Sequence, residues 1–212
     1  VPGVAPANVI IIGGGIVGTE AARMAMGTGA NVTVFDRDVN RLRELDALFG
    51  PLLRTLYSTP SAIEESLKTA DLVIGAVLIP GKVAPKLVTK EMVKQMSPGS
   101  VIVDVAIDQG GCVETAKPTS HAHPTYVVDD VIHYCVTNMP GACARSATLA
   151  LTQATMEYAL EIANKGYKQA LLDNAGLRAG LNVCLGHVTN EPVANDLDYP
   201  YVAPEKMLVL KH

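Results

Sequence analysis

Three glycines near the amino terminus, Gly13, Gly15 and Gly18, have the spacing G-x-G-x-x-G and follow the apolar run 9–12. In this pattern the first glycine permits a sharp turn and the second lets a pyrophosphate approach the backbone. The third lets the next helix pack closely on the strand. The amino terminus of that helix offers N–H groups and a partial positive charge to phosphates. The chemistry that these residues favour is therefore the binding of a dinucleotide.

An acidic residue, Asp36, follows the run 32–35 at about the 20-residue spacing at which this pattern places a ribose-binding carboxylate. Its oxygens can accept hydrogen bonds from both hydroxyls of an adenosine ribose and would repel a 2′-phosphate, so NAD is favoured over NADP. Arg37 and Arg41 weaken that preference, because a nearby arginine can accommodate the phosphate. A glycine fingerprint alone is weak evidence, but here a strand, a helix and an acid accompany it.

Short apolar runs alternate with amphipathic segments from residue 8 to about residue 135, which predicts parallel strands joined by helices. The predicted fold class is α/β, a doubly wound parallel (Rossmann) sheet with a C-terminal helical segment. Ser61 is the predicted N-cap of the third helix, with Glu64 completing a capping box. The predicted strands are 9–12, 32–35, 52–57, 72–77, 101–106, 126–128 and 131–134, and the predicted helices are 16–28, 39–49, 61–69 and 89–96.

The pattern changes after Gly141, where a long helical segment, 142–164, and a shorter one, 167–172, precede a turn-rich tail. We predict two domains, a nucleotide-binding domain over residues 1–141 and a C-terminal helical segment over residues 142–212. The apolar stripe of the long helix consists of Leu149, Met156, Leu160 and Ala163. Because such a stripe rarely stays exposed on a monomer, we expect it to pack on another domain or another subunit.

Composition excludes several classes of function. The chain has 212 residues, 49% of them hydrophobic, and a formal net charge of −4. Without a basic stripe to neutralise phosphates, nucleic acid is not an expected partner. The apolar runs are too short to span a bilayer, so no membrane partner is expected either. The cysteines form no C-x-x-C pair and are typical of reduced thiols in a cytoplasmic protein.

In a doubly wound sheet the ligand binds at the carboxyl ends of the strands. Besides the glycine turn, the sequence places 76–81, 104–111 and 136–141 there. Asp108 follows a predicted strand and precedes two glycines that let the backbone approach a ligand. This carboxylate either caps nearby backbone N–H groups, which the segment alone favours, or holds a substrate ammonium or orients a water.

The histidines offer no clear metal site. His121 and His123 form an H-x-H pair without further ligands at a telling spacing, so we predict loop histidines and no bound metal. His133 lies within a predicted strand and is expected to be a packed core histidine. Glu157 and Glu161 lie one helical turn apart, which is typical of a solvated helix face.

Five longer runs make the chain resemble bacterial alanine dehydrogenase over nearly its whole length. The most specific is G-S-V-I-V-D-V-A-I-D-Q-G-G-C at 99–112, and the others are 11–18, 70–81, 84–88 and 133–141. The resemblance implies NAD as cofactor and the oxidative deamination of L-alanine to pyruvate and ammonium, together with the reverse reaction. We expect a homo-oligomer.

The resemblance also assigns site residues. It makes Asp108 the catalytic aspartate, which reverses the interpretation that the segment alone favours. The cofactor-binding residues given by the fingerprint and the resemblance together are Gly13, Gly15, Ile16, Val17, Gly18, Asp36, Arg41, Ser58, Val77, Leu78, Val105, Ala106, Ile107, Asp108, Lys117, Val136, Thr137, Asn138 and Met139.

A related family is the nucleotide-binding part of proton-translocating nicotinamide nucleotide transhydrogenase. There a glutamate usually precedes Q-G-G, so Asp108 favours the dehydrogenase. Cys143-Ala144 stands where the dehydrogenases usually have a proline, a departure that affects one loop. Alanine dehydrogenases also carry an N-terminal substrate domain that supplies an arginine, a lysine and a catalytic histidine. Nothing in the sequence, which begins at Val1, resembles that domain, so we expect NAD binding with little or no turnover; a non-catalytic NAD-binding module is the other alternative.

Overall fold

The structure is a computed structural model that describes residues 2–78 and 83–209. The described residues form two compact units, one of residues 2–78 and 83–139 and one of residues 140–209. This division lies next to the predicted boundary after Gly141. That the second unit belongs to a separate domain stays a prediction.

The first unit is built on a seven-stranded sheet with the strand order β3-β2-β1-β4-β5-β7-β6. All neighbouring strands are parallel except β6 and β7, which are antiparallel. This arrangement confirms the predicted doubly wound α/β fold. The strands are β1 (Asn8–Ile12), β2 (Asn31–Asp36), β3 (Leu53–Tyr57), β4 (Leu72–Gly75), β5 (Val101–Asp104), β6 (Thr125–Val128) and β7 (Val131–Tyr134).

Helices cover the central strands of this sheet on both faces, which is why these strands are apolar at nearly every position. Val9, Ile11 and Val34 belong to the core on one face, and Ile10 and Phe35 belong to the core on the other. The helices of the first unit are α1 (Ile16–Gly27), α2 (Val39–Phe49), α3 (Pro60–Leu67) and α4 (Lys90–Val93).

Strand β5 ends earlier than predicted. The apolar run continues to Ile107, but the side chain of Asp104 accepts a hydrogen bond from the backbone N–H of Ala106 and caps a 3-10 helix, Val105–Gln109. The predicted strand 101–106 is therefore wrong at its carboxyl end. The consequence is that the predicted catalytic residue Asp108 lies on a helical turn immediately after the strand.

The capping box predicted for α3 is also wrong. The N-cap is Thr59, whose hydroxyl accepts from the N–H of Ala62 at 3.2 Å, and Pro60 occupies the first helical position. Proline is well suited to that position because it has no N–H to leave unbonded and its φ angle is already helical. Ser61 therefore lies inside the helix.

The hairpin of β6 and β7 turns at Asp129 and Asp130, which have φ angles of 50° and 60°. Two consecutive left-handed residues are typical of a tight turn whose twist matches that of the strands. The predicted Asp129-Asp130 turn is confirmed. It brings β7 into the sheet parallel to β5.

The second unit is mainly helical. Its longest helix, α5 (Ala144–Lys165), has no buried residue, and the side chains of Leu149, Met156 and Leu160 are 55%, 47% and 54% exposed. None of the helices in the described ranges is long and apolar enough to cross a membrane. The remaining elements are α6 (Tyr167–Asp173), α7 (Ala175–Ala179), β8 (Val183–Cys184), β9 (His187–Val188), α8 (Glu191–Asp196) and α9 (Pro204–Leu208).

Candidate dinucleotide-binding site

The predicted site segments follow strands that are neighbours in the sheet. The glycine turn follows β1, residues 76–78 follow β4, Val105–Gln109 follows β5, and residues 135–139 follow β7. Because these strands are parallel, all four segments lie along one edge of the sheet. The order of strands reverses between β1 and β4, and the crevice at such a reversal is where open α/β sheets bind ligands.

The three fingerprint glycines have different surroundings. A Cβ atom on Gly13 would lie 2.6 Å from the carbonyl oxygen of Ala76, and one on Gly18 would lie 1.8 Å from the carbonyl oxygen of Gly13. A Cβ atom on Gly15 would meet nothing within 4 Å. Gly13 and Gly18 are therefore required by close packing within the protein, whereas Gly15 leaves room for a group outside the protein.

A cleft of about 600 Å³ lies beside the glycine turn, a volume within the range of about 300–1,000 Å³ typical of ligand sites. Gly15 is the N-cap of α1, and no side chain caps that end of the helix. The N–H groups of the first helical turn are thus available to an anion. The cleft is lined by Ile12, Gly13, Gly15, Ile16, Val17, Phe35, Asp36, Arg37, Ser58, Ala76, Val77, Leu78, Pro85 and Leu87.

Asp36 combines two roles at the cleft. Its Oδ2 accepts from the N–H of Gly14 at 2.7 Å, and its Oδ1 accepts from the N–H of Asp38 at 2.8 Å. The carboxylate therefore holds the glycine turn against the end of β2. The side chain stays partly exposed and lines the cleft, so its remaining lone pairs can accept from ribose hydroxyls.

The two arginines near Asp36 are placed differently. Arg37 lines the cleft, whereas Arg41 does not. Arg41 donates from Nε to the carbonyl oxygen of Gly14 at 2.6 Å and from Nη2 to the hydroxyl of Thr19 at 2.7 Å. Its Nη1 forms an ion pair with Glu44 at 2.6 Å. Arg41 thus fastens α2 to the glycine turn, and its direct contact with a cofactor stays a prediction.

Asp108 is exposed on the turn after β5, while Asp104, at the end of the strand, is fully buried. Burial raises the pKa of the Asp104 carboxyl, although its hydrogen bonds from backbone N–H groups partly oppose the shift. Beside Asp108, the amide oxygen Oε1 of Gln109 is buried without a hydrogen-bond partner among the described residues. A buried acceptor of this kind needs a donor, which a bound ligand can supply.

The remaining predicted contacts lie outside the cleft lining. Lys117 holds its ammonium 4.6 Å from the centre of the Tyr126 ring, and its backbone N–H donates to the Tyr126 hydroxyl. Asn138 adopts a left-handed conformation with φ 54°, and its carbonyl oxygen is 3.0 Å from Nε2 of His121. The roles of Val105–Asp108, Lys117 and Val136–Met139 as cofactor contacts therefore stay predictions.

His133 is a core histidine, as predicted. It is 0% exposed, its Nδ1 lies 3.0 Å from the carbonyl oxygen of Val131, and its Nε2 lies 2.8 Å from the hydroxyl of Thr115. Burial lowers its pKa, which favours the neutral ring. The Tyr126 ring stacks on it with the ring centres 5.0 Å apart. Within residues 2–78 and 83–209, no three His, Cys, Asp or Glu side chains are grouped so that they could hold a metal ion.

Sequence reasoning missed Lys86 and Asp104, which contact the turn that carries Asp108. The ammonium of Lys86 donates to the carbonyl oxygens of Gly110, Gly111 and Val113. The signal for Asp104 was present, because aspartate is a preferred N-cap and this one directly precedes the turn that follows an apolar strand. No local signal marks Lys86, whose partners lie 24 to 27 residues further along the chain.

The parallel sheet, the open Gly15 position, the uncapped helix terminus and the carboxylate at the end of β2 define a Rossmann-type dinucleotide-binding unit. Comparison with known families then identifies the group. The chain belongs to the family described as alanine dehydrogenase/PNT, C-terminal domain, whose model matches residues 1–191.

Individual relatives agree with this assignment. The chain is 60% identical over 209 residues to alanine dehydrogenase of Bacillus subtilis strain 168 and 55% identical over 208 residues to that of Halomonas elongata. The matches cover 98% of the chain but only 55% and 56% of those relatives. The chain therefore spans little more than half the length of the curated relatives it matches.

Among solved structures, an alanine dehydrogenase and a transhydrogenase both resemble the chain. An L-alanine dehydrogenase superposes with a TM-score of 0.84 at 52% identity, covering 93% of this chain and 55% of that one. A transhydrogenase from Sinorhizobium meliloti superposes with a TM-score of 0.61 at 32% identity, covering 68% and 41%. The dehydrogenase is the closer of these two in both sequence and structure.

Proposed function

We propose that the chain is the NAD(H)-binding part of an alanine dehydrogenase. The reaction of the whole protein would be L-alanine, NAD⁺ and water giving pyruvate, ammonium, NADH and a proton. The observation that carries the proposal is the cleft at the end of β1, which is lined by the open Gly15 position at the uncapped amino terminus of α1 and by Asp36 at the end of β2. The 60% identity to a named alanine dehydrogenase supports the choice of reaction.

The residues present fit NAD. The turn at Gly15 and the first turn of α1 would bind the pyrophosphate, and Asp36 would accept from the adenosine ribose. Val77 and Leu78, which line the cleft after β4, would pack on the rings. The cofactor, when bound, accepts the hydride from the substrate. The carboxylate of Asp108, exposed at the same edge of the sheet, would hold the substrate ammonium and orient the attacking water.

Asp36 favours NAD over NADP, and the position of Arg37 weakens that preference. Asp36 would repel a 2′-phosphate, but the Arg37 guanidinium lines the same cleft and could attract it. Arg41 is engaged with Gly14, Thr19 and Glu44 and contributes less to this balance. We expect NADP⁺ to bind measurably and more weakly than NAD⁺.

Calorimetric titration of the 212-residue chain with NAD⁺ and NADP⁺ tests the proposal. We expect Asp36→Ala to weaken NAD⁺ binding by about tenfold or more, because the acceptor for the ribose hydroxyls is lost. The difference in affinity between NAD⁺ and NADP⁺ should become smaller. Asp38→Ala is the matched control. Asp38 caps α2 by accepting from the N–H of Asn40 but does not line the cleft. If NAD⁺ does not bind, or if both variants weaken it equally, the assignment of the cleft is wrong.

We further propose that these 212 residues alone bind NAD(H) with little or no turnover of alanine, because the named relatives are nearly twice as long. Alanine-dependent NADH formation by the isolated chain at the rate of a full-length relative would overturn this. Hydride exchange between NADH and an NADP analogue would instead favour the transhydrogenase alternative. We also propose that the protein is cytoplasmic and forms a homo-oligomer. The exposed Leu149, Met156 and Leu160 of α5 support the oligomer, and a monodisperse monomer by light scattering would contradict it.

A further inference from the structure

Two charged side chains hold the turn that follows β5. We call residues 105–113 the Asp108 loop. Asp104 contacts it from within the sheet, and Lys86 contacts it from the segment that precedes α4. Neither side chain lines the cleft. Their common target is the short stretch of backbone that presents Asp108.

Asp104 connects the start of the loop with its end. Its Oδ1 accepts from the N–H of Ala106 at 3.1 Å, and its Oδ2 accepts from the N–H of Val113 at 3.0 Å. Glycines make space for this carboxylate: a Cβ atom on Gly75 would lie 3.2 Å from Oδ1, and one on Gly111 would lie 2.7 Å from Oδ2. One buried carboxylate therefore fixes the separation of two backbone positions seven residues apart.

Whereas Asp104 accepts from backbone N–H groups, Lys86 donates to carbonyl oxygens of the same loop. Its ammonium donates to the carbonyl oxygens of Gly110, Gly111 and Val113, so all three of its N–H groups have an acceptor. The neighbouring backbone adds three bonds: the N–H of Ala84 donates to the carbonyl oxygen of Gln109 at 2.8 Å, and the N–H groups of Leu87 and Val88 donate to that of Cys112 at 2.8 and 3.2 Å. The ammonium is thus centred on the carbonyl groups of the loop.

The backbone between these contacts adopts an uncommon conformation. Gly110 and Gly111 have φ angles of 87° and 75°, both in the left-handed region. Two successive left-handed residues in a chain that is otherwise free to move would be populated only part of the time. Asp104 and Lys86 together supply the bonds that select this conformation, because one satisfies N–H groups and the other satisfies carbonyl groups.

Burying a carboxylate is costly, and an apolar residue would often stabilise a fold equally well. A purpose beyond folding is therefore reasonable for this pair. We propose that Asp104 and Lys86 are positioning residues that hold the Asp108 loop in one conformation before any cofactor binds. This inference rests on the proposed function, since it assigns a purpose to the position of Asp108. A preorganised loop loses less conformational entropy when the cofactor arrives.

Amide hydrogen exchange of the chain without cofactor is the first test, with Lys86→Met as the variant. We expect the amides of Gly111 and Val113 to be protected in the wild type and to exchange about tenfold faster or more in the variant. The amide of Gly14, bonded to Asp36 in the glycine turn, should not change. Lys94→Met is the matched control, because Lys94 is an exposed lysine at the carboxyl end of α4.

A double-mutant cycle on NADH affinity is the second test, and it separates positioning from a general structural effect. Asp108→Ala, Lys86→Met and the double variant are compared with the wild type by calorimetry. If Lys86 acts through the loop, we expect Asp108→Ala to weaken NADH binding less in the Lys86→Met background, a non-additivity of about threefold or more. Lys86→Arg, which keeps the charge and the donors, should recover part of the affinity.

Unprotected loop amides in the wild type, unchanged exchange in Lys86→Met, or additive effects on NADH affinity would each overturn the positioning role. If the wild type does not bind NADH at all, the proposed function fails, while the exchange experiment still decides whether the loop is preorganised. Because Asp104→Asn removes an acceptor from one of two buried N–H groups and so changes overall stability together with the loop, the test of positioning relies on Lys86.

Discussion

Two loops at the carboxyl edge of the sheet are built in the same way and yet differ in their exposure. In each, an aspartate at the end of a strand accepts two backbone N–H groups: Asp36 from Gly14 and Asp38, and Asp104 from Ala106 and Val113. Asp36 remains partly exposed and lines the cleft, whereas Asp104 is fully buried. The same pair of backbone hydrogen bonds therefore leaves one carboxylate open to a cleft and encloses the other within the protein.

The reason lies in what surrounds each carboxylate. Asp36 ends β2, next to the edge strand β3, and the open cleft is beside it. Asp104 ends β5, between β4 and β7, and Gly75, Gly111 and Cys112 close over it. Both strands have a neighbour on each side, so the difference lies in what covers the strand end: loop residues enclose Asp104, whereas Asp36 borders the cleft. The surroundings of the carboxylate, and not the residue type, decide which of the two aspartates is accessible from the cleft.

The largest effect is expected from the glycine turn itself. Gly18→Ala should lower the free energy of unfolding by about 3 kcal/mol or prevent folding, because a Cβ atom would lie 1.8 Å from the carbonyl oxygen of Gly13. Gly27→Ala, in the same helix with nothing within 4 Å of the new atom, is the control and should be neutral or stabilising. Denaturant unfolding measures both, and equal effects of the two substitutions would remove the packing argument.

Substitution of Gly15, the open glycine of the same turn, should affect cofactor binding more than stability. Gly15→Ala is expected to lower the free energy of unfolding by no more than about 1 kcal/mol, because alanine is a poorer N-cap than glycine. It should nevertheless weaken NADH binding by about tenfold or more, since the methyl group enters the space assigned to the pyrophosphate. Unfolding and calorimetric titration on the same preparation measure the two quantities. Unchanged NADH affinity would show that Gly15 does not face the phosphates.

The buried aspartate should give a distinctive dependence on pH. Because burial raises the pKa of folded Asp104, the native state binds more protons than the unfolded state between the unfolded pKa of about 3.9 and the folded value. The contribution of Asp104 to stability is therefore present below that window and falls as the pH rises through it. We expect the stability difference between the wild type and Asp104→Asn to narrow by at most about 1.4 kcal/mol per pH unit.

Unfolding experiments at a series of pH values from 4 to 7, with the wild type and Asp104→Asn in parallel, measure this difference, and the subtraction cancels the other titrating groups. A difference that widens with rising pH would mean that the folded carboxylate is stabilised as an anion. Asp104 would then behave like a partly exposed carboxylate such as Asp36, and the difference in burial would have no energetic consequence.

The smallest expected effect concerns the N-cap of α3. Thr59→Ala should lower the free energy of unfolding by about 1 kcal/mol, because it removes the acceptor for the N–H of Ala62. Ser61→Ala, inside the helix, should change it by less than about 0.5 kcal/mol. Thermal unfolding of the two variants distinguishes the observed cap from the one that the sequence predicts.

Much of the first unit could be predicted because its signals are local. Apolar runs bounded by turns gave the strands, and α2 was placed at its observed bounds, Val39–Phe49. Two errors occurred where a single side chain changed the local outcome: Asp104 ended β5 early, and the proline at position 60 shifted the cap of α3 to Thr59. The predictions 72–77 and 89–96 were too long as well, since β4 is Leu72–Gly75 and α4 is Lys90–Val93. In both places two sequence signals overlap within two or three residues, a strand with a capped turn at Asp104 and two possible N-caps before α3. Hydrophobic periodicity alone does not show which signal determines the structure.

The candidate site was predictable to a smaller extent. The fingerprint glycines, Asp36, Ser58 and the residues after β4 were named from the sequence, and the structure places many of them on one cleft. The distinction between Arg37 and Arg41 was not available, because both precede or begin α2 and only the fold shows which one turns toward Gly14 and Thr19. The contacts of Lys86 were likewise hidden, since its acceptors are backbone oxygens without any sequence signature.

By itself, the sequence determined the alternation of strands and helices, the glycine turn and the acid at the end of β2. These follow from the absence of a Cβ atom, from hydrophobic period and from residue spacing, all of which are properties of the chain before it folds. Only the tertiary structure decided that Gly15 is open while Gly18 is packed, and that Asp36 faces a cleft while Asp104 is enclosed. Exposure depends on which strands become neighbours, and that neighbourhood is created by folding.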